Sequence, residues 1–223
     1  MVALSGPLDV GALREQLAQA RAEIERAAAQ AGRDPGAVEL LVAGKYIPLQ
    51  ELPKLAEAGV GLIGENRAQE LQAKVQAHGE LFVWDFIGTL QSRKVRMILP
   101  YVRMIHTLAS ESAARELARW QQLARPELEL LIEVNVAGEA GKAGVAPHEI
   151  DALIELCPLP VTGLMTMPPQ TDDPHESRRW FAALRELAHE RGLRRLSMGT
   201  SQDYPVAVQE GATIVRLGRS LLA

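Results

Sequence analysis

Lys45 closes an apolar run, Val38-Glu39-Leu40-Leu41-Val42-Ala43-Gly44-Lys45, with Pro35-Gly36 before it and Pro48 after it. A short run of this kind between turn formers reads as a strand buried on both faces. The lysine stands where the strand leaves the core, at the end where α/β folds bind ligands. Partly desolvated there, its amine could attack a carbonyl carbon and form an imine. The other reading is a solvated lysine that simply closes the strand.

A second kind of chemistry gathers near the C-terminus, in Ser197-Met198-Gly199-Thr200-Ser201 and Arg216-Leu217-Gly218-Arg219-Ser220. Each stretch ends an apolar run and leads towards a short helix. Hydroxyls, backbone N–H groups and the close approach that glycine permits make a phosphate cradle. One such stretch would pass for an ordinary turn, but two on neighbouring strands point to an anion. An imine-forming lysine and a phosphate cradle on one rim describe pyridoxal 5'-phosphate (PLP). If Arg216 faces the pyridine nitrogen, its fixed charge disfavours protonation there and leaves the ring a weaker electron sink; a structural ion pair is the alternative role.

The elements that must position these residues alternate along the whole chain. Strands are expected at 38–45, 60–63, 82–87, 104–108, 128–136, 161–165, 195–198 and 213–217. Helices are expected at about 48–58, 65–77, 91–99, 110–123, 147–156, 173–190 and 203–211, with a further one at about 9–32 that precedes the first strand. Strict alternation implies parallel pairing with right-handed crossovers. Eight such units predict an α/β fold, a (β/α)8 TIM-type barrel with an extra N-terminal helix, although 223 residues is short of the roughly 250 typical of that fold. A doubly wound sheet is the rival, but no Gly-x-Gly-x-x-Gly turn or Gly-x-x-x-x-Gly-Lys-Ser/Thr loop follows any strand.

Composition sets the boundaries. Hydrophobic residues make up 47% and charged residues 23%, enough for a sizeable core, and one domain over 1–223 is expected because nothing resembles a linker. A net charge of -4 offers no basic footprint for nucleic acid. Cys157, the one cysteine, ends an apolar helical stretch before Pro158 and reads as a packing residue in a reducing compartment. The start Met1-Val2-Ala3-Leu4-Ser5-Gly6 lacks the regions of a secretion signal. No stretch approaches the ~20 apolar residues of a membrane span. A soluble, cytoplasmic protein is expected, with no metal site and no membrane partner.

These motifs together resemble the pyridoxal phosphate homeostasis protein family of the YggS/PROSC type. The likeness covers nearly the whole chain: Val42-Ala43-Gly44-Lys45, Ile63-Gly64-Glu65-Asn66-Arg67-Ala68-Gln69-Glu70, Trp84-Asp85-Phe86-Ile87-Gly88-Thr89-Leu90-Gln91-Ser92-Arg93-Lys94, Gly163-Leu164-Met165-Thr166-Met167, Ser197-Met198-Gly199-Thr200-Ser201-Gln202-Asp203 and Val215-Arg216-Leu217-Gly218. The resemblance implies a barrel shared with the N-terminal domain of alanine racemase and PLP held as an internal aldimine on Lys45. It further implies Asn66 near the cofactor, Ser197, Gly199, Ser201 and Gly218 on its phosphate, and Arg216 at its ring nitrogen. The function implied is the handling and supply of PLP, with apo-PLP enzymes as recipients and an effect on amino-acid balance. The chain departs from the family pattern at Gly44-Lys45-Tyr46-Ile47-Pro48, where Ser-Lys-Thr-Lys-Pro is usual, and at Asp85, where histidine is usual. Arg93 stands in place of an asparagine and Thr200 in place of a methionine.

Racemisation through PLP needs a base on each face of the reacting carbon. In alanine racemase the second base comes from a domain beyond the barrel, on the other subunit, whereas this chain stops six residues after Leu217. Within the barrel, Tyr46 is the best candidate. Tyr101 is expected on the wrong rim, Tyr204 to cover the phosphate loop, and His106 to be a hydrogen-bonded packing residue. A monomeric PLP carrier or regulator is therefore the leading expectation. A PLP-dependent amino-acid racemase of low activity is the alternative, and an aldolase-like barrel that binds another phosphorylated carbonyl is the third. Lys142, in a glycine-rich loop, reads as a solvated lysine or as a secondary PLP or phosphate contact.

Overall fold

The computed structural model describes residues 7–222. The chain enters on α1 (Val10–Gln30), where Asp9 caps the first turn by accepting a hydrogen bond from Ala12 N at 3.0 Å. Leu13, Leu17, Ala20, Ile24 and Ala27 form its buried stripe, the face that three- and four-residue spacing produces. Gly32, at φ 65°, turns the chain out of the helix.

Eight strands then pair in parallel and in sequence order: β1 (Glu39–Ala43), β2 (Leu62–Glu65), β3 (Val83–Phe86), β4 (Met104–Leu108), β5 (Glu129–Glu133), β6 (Val161–Met165), β7 (Arg195–Thr200) and β8 (Ile214–Leu217). Val42 lies opposite Ile63 on one side and Leu217 on the other, so β1 joins β8 and the sheet closes. Each strand is followed by a helix: α2 (Leu52–Glu57), α3 (Ala68–His78), α4 (Val95–Ile98), α5 (Glu111–Trp120), α6 (Ile150–Leu156), α7 (Arg178–Glu190), α8 (Tyr204–Gln209) and α9 (Arg219–Leu222). The fold is a (β/α)8 barrel, and α1 packs against α8, α9 and α2, where the ring of helices begins and ends.

The main apolar core lies between strands and helices. A smaller set, Leu41, Met104, Leu131, Met165 and Ile214, plugs the barrel axis. Residues two apart on a strand share a face, so His106, Glu133 and Arg216 also point inward, one step towards the C-terminal rim. Asp85 pairs with Met104, and Ser197 with Met165 and Ile214, which puts both on the inward face as well.

Several boundaries differ from expectation. The second strand runs over Leu62–Glu65 rather than 60–63, and its helix starts at Ala68 rather than 65. Glu65 belongs to the strand because its carboxylate is neutralised internally by Lys74. Four helices open with 3₁₀ turns, at Leu49–Glu51, Ser92–Lys94, Pro147–Glu149 and Pro174–Ser177. β5 stops at Glu133 rather than 136, and a loop follows in which Gly138, Gly141 and Gly144 all take positive φ. β7 extends to Thr200, and the short helix expected after the last strand is α9, four residues long. Cys157 is half-buried at the end of α6, where burial raises its thiol pKa, as suits a packing residue. Among the described residues, no helix is long and apolar enough to cross a membrane.

Candidate functional site

A cavity of about 270 Å³ opens at the C-terminal end of the barrel, and Lys45, Asn66, Ser201, Arg216 and Gly218 all line it. Five of the seven residues singled out from the sequence thus come together, from the ends of β1, β2, β7 and β8. Ser197 and Gly199 are not among the lining residues.

Lys45 sits in a 3₁₀ turn, Gly44–Tyr46, directly after β1. The residue as a whole is exposed, and part of it lines the cavity. Its backbone is nonetheless tied down. Lys74 Nζ, buried on α3, donates to Gly44 O at 2.8 Å and to Glu65 Oε2 at 2.6 Å. Glu65 Oε1 in turn accepts from Asn66 N at 2.6 Å and Arg67 N at 3.3 Å. One buried ion pair therefore couples the residue before Lys45 to the backbone of Asn66. Gly88, after β3, completes the support, since a Cβ there would lie 2.0 Å from Asn66 O. Asn66 Oδ1 is buried without a hydrogen-bond partner.

The turn after β7 meets the start of α9. Ser201 Oγ accepts from Gly218 N at 3.4 Å and Ser220 N at 3.5 Å, and Ser220 Oγ lies 2.9 Å from it. Asp203 Oδ1 braces the turn by accepting from Thr200 N at 2.8 Å and Thr200 Oγ1 at 3.2 Å. Gly199 adopts φ 90°, and a Cβ there would stand 2.6 Å from Ala207 Cβ. Its glycine is thus required by the packing of α8 on β7, and it shapes the turn from behind.

Beneath the cavity lies a buried polar chain. Arg216 Nη1 donates to Ser197 O at 2.8 Å and Ser197 Oγ at 2.5 Å, and Nη2 to Thr166 O at 3.0 Å. Ser197 Oγ is 2.8 Å from His106 Nδ1, whose Nε2 is 3.2 Å from Asp85 Oδ2. Arg103 grips both Asp85 oxygens, at 3.1 and 2.8 Å. The Ser197 hydroxyl, expected at the phosphate, is therefore engaged in the barrel interior. Asp85, noted in the sequence only as a departure, joins two strands. Burial brings the Arg216 pKa down to about 10, with Glu133 and Asp203 opposing the shift. Burial also pushes the Glu133 carboxyl up, against the pull of Arg216. His106 is held below its ordinary 6.5 by burial, aided by Arg216 and Arg103 and opposed by Asp85. At the far rim Arg103 reaches Glu39 at 2.5 Å, and Arg195 joins Glu39 at 2.8 Å to Glu129 at 3.1 Å.

The remaining candidates point elsewhere. The Tyr204 hydroxyl donates to Glu23 on α1, and burial together with that carboxylate raises its pKa. Tyr101 precedes β4 and meets Gln72 at 3.5 Å. The Tyr46 side chain lies outside the described residues. Lys142 pairs with Glu139 of its own loop at 2.8 Å. Sequence reasoning missed Lys74, Arg103, Glu133 and Ser177; a charged residue inside the otherwise apolar run 128–136 was the signal for Glu133, whereas Arg103 lies just before β4.

Residues 9–222 match the family model of the alanine racemase N-terminal domain. Over 218 residues the chain is 38% identical to a pyridoxal phosphate homeostasis protein of Aquifex aeolicus, covering 93% of this chain and 96% of that one. A protein of the same name from Pseudomonas aeruginosa is 38% identical over 216 residues, covering 94% of each chain. Among solved structures, PipY of Synechococcus elongatus PCC7942 with PLP bound has a TM-score of 0.78 at 31% identity, covering 95% of this chain and 100% of that one. The chain belongs to the alanine racemase N-terminal domain family and, within it, to the pyridoxal phosphate homeostasis proteins.

Proposed function

We propose that the chain binds PLP in the cavity at the C-terminal end of its barrel, with Lys45 as the point of covalent attachment, and serves intracellular PLP homeostasis and supply and amino-acid balance. One observation carries this reading: Lys45, Asn66, Ser201, Arg216 and Gly218 line a single cavity. We read the protein as a monomer that hands PLP to apo-enzymes.

The residues fit the cofactor. Asn66 Oδ1 and Ser177 Oγ are both buried without partners, and both residues line the cavity. An unsatisfied buried polar atom costs about 1–3 kcal/mol, which a polar ligand relieves. The N–H groups of Gly218 and Ser220 reach Ser201 Oγ only at 3.4 and 3.5 Å, the weak limit of hydrogen bonding, so they lose little by turning to a phosphate oxygen. Arg216 has five N–H groups, and its hydrogen bonds to Ser197 and Thr166 leave others to face the cavity.

PLP, when bound, supplies an aldehyde that condenses with a primary amine. Lys45 provides that amine at the open mouth of the cavity, where an incoming amine can also reach it. Ser201, with the N–H groups of Gly218 and Ser220, holds the phosphate. Arg216 donates to the ring nitrogen and keeps a proton off it. Gly199 shapes the phosphate turn through its packing, and Ser197 supports Arg216 from below. A carrier is favoured over a racemase in that two of the candidate second bases, Tyr204 and His106, are committed to partners away from the cavity mouth.

The test begins with the purified protein titrated with PLP and followed by visible absorbance. Borohydride reduction should leave a pyridoxyl mass on the peptide containing Lys45, and Lys45→Ala should lose both signals. Transfer of PLP to an apo-enzyme should follow, with only slow deuterium exchange at Cα across a panel of amino acids. A protein that stays colourless with PLP refutes the binding, and brisk exchange refutes the carrier role.

A further inference from the structure

We infer that Asp85 and His106 are positioning residues for Arg216, acting through the Ser197 hydroxyl. The inference rests on the reading that PLP occupies the cavity, but the direction of each hydrogen bond follows from this chain alone. Arg103 engages both oxygens of Asp85, so Asp85 is an acceptor, and the His106 Nε2 that faces it must donate. In a neutral imidazole the other nitrogen is then an acceptor. His106 Nδ1 therefore receives the Ser197 hydroxyl proton across 2.8 Å. With its proton committed there, Ser197 Oγ presents lone pairs to Arg216 Nη1 at 2.5 Å.

Arg216 needs this arrangement because its three hydrogen-bond acceptors, Ser197 O, Ser197 Oγ and Thr166 O, are all uncharged. Among the described residues no carboxylate makes a salt bridge or hydrogen bond to the guanidinium, Glu133 and Asp203 acting on it only at longer range, so the polarity of the chain below it fixes its rotation. Reversing the His106 tautomer would turn Nδ1–H towards Ser197 and leave the serine proton without its acceptor. Ser197 Oγ would then accept from both His106 Nδ1 and Arg216 Nη1 while its own proton turned elsewhere, and the guanidinium would be held less firmly with its remaining N–H groups towards the cavity. All the groups involved are buried: Asp85, His106 and Ser197 are 0% exposed and Arg216 is 7% exposed. Water is thus a poor substitute for any of these partners.

Two measurements test the inference. The first is nitrogen-15 NMR of His106 in the PLP-free protein. It should show the Nε2–H tautomer in the wild type and a weaker preference for it in Asp85→Asn, where the acceptor facing the ring is no longer charged. A wild-type Nδ1–H tautomer overturns the inference whether or not PLP binds. The second is PLP titration of folded variants. Asp85→Asn should bind about tenfold more weakly, the size of one hydrogen bond to a charged group, and should move the absorption maximum of the bound cofactor. His106→Asn, whose amide oxygen can still accept from Ser197, should retain more affinity than His106→Ala, and this pair decides the question if Asp85→Asn does not fold. Equal affinities and an unmoved maximum across the variants, in a protein whose wild type binds PLP, overturn the positioning role. A wild type that binds no PLP refutes the proposed function and leaves the tautomer result standing.

Discussion

Replacing Lys74 with methionine should do more damage than its distance from the cavity mouth suggests. The side chain is 6% exposed and that of Glu65 0%, with Nζ 2.6 Å from the carboxylate. Methionine retains most of the apolar stem, so packing changes little and the loss is electrostatic. Glu65 would keep the N–H groups of Asn66 and Arg67 but lose its countercharge, and Gly44 O would lose its lysine donor. Removing one partner of a buried pair costs about 3–5 kcal/mol. At about 2–4 °C per kcal/mol for a domain of this size, the melting temperature should fall by roughly 6–20 °C. Urea unfolding at constant m-value gives the free energy directly. Glu65→Gln with Lys74→Met removes both charges and should recover part of the loss, with a coupling of about 2 kcal/mol. The tie also joins the Lys45 turn to the Asn66 backbone, so the folded Lys74→Met protein should bind PLP more weakly and label more slowly at Lys45 under borohydride. A single-mutant loss below about 1 kcal/mol, or additivity within about 0.5 kcal/mol, would refute the reasoning.

What the sequence disclosed and what it hid follow from one physical distinction. Strand interiors were legible because a strand buried on both faces must be apolar along its length, and Val38–Lys45 or 128–136 stands out on that ground alone. Lys45 was legible because it stops such a run. The boundary of β2 was misread because Glu65 is charged, and a charge is taken for a strand's end unless its counterion is known; Lys74 lies on the following helix. The polar chain under the cavity was hidden for the same reason at longer range. Its links join residues 18, 21, 91 and 19 positions apart, and only closure of the barrel brings them together. Ser197 shows where local reading fails: within Ser-Met-Gly-Thr-Ser its hydroxyl looked equivalent to that of Ser201. Strand pairing with Met165 and Ile214 puts it on the inward face, whereas Ser201 lies just past the strand end. Composition located the turn, but only register could say which hydroxyl faces the barrel interior and which lies at the cavity.

Three further outcomes are expected. Gly88→Ala places a Cβ 2.0 Å from Asn66 O; the backbone must move, costing about 1–3 kcal/mol, and PLP titration should show weakened binding unless the Asn66 turn does not need that support. His106, held below 6.5 chiefly by burial, stays neutral in the fold while the unfolded chain takes up a proton. Stability should therefore fall as pH drops below about 6.5, by up to about 1.4 kcal/mol per unit, and a wild-type-minus-His106→Gln difference that is flat between about pH 7 and 5 contradicts this. Finally, the closed end of the barrel holds Glu39, Asp85 and Glu129 against Arg103 and Arg195, each arginine bridging two carboxylates. Arg195→Met leaves Glu39 and Glu129, whose side chains are 29% and 24% exposed and can be hydrated. Arg103→Met leaves Asp85 fully buried with only the N–H of His106, and should cost about 3–5 kcal/mol. The Arg103 variant should thus be the less stable of the two in urea; the reverse order would mean that water reaches Asp85 through the gap the arginine leaves.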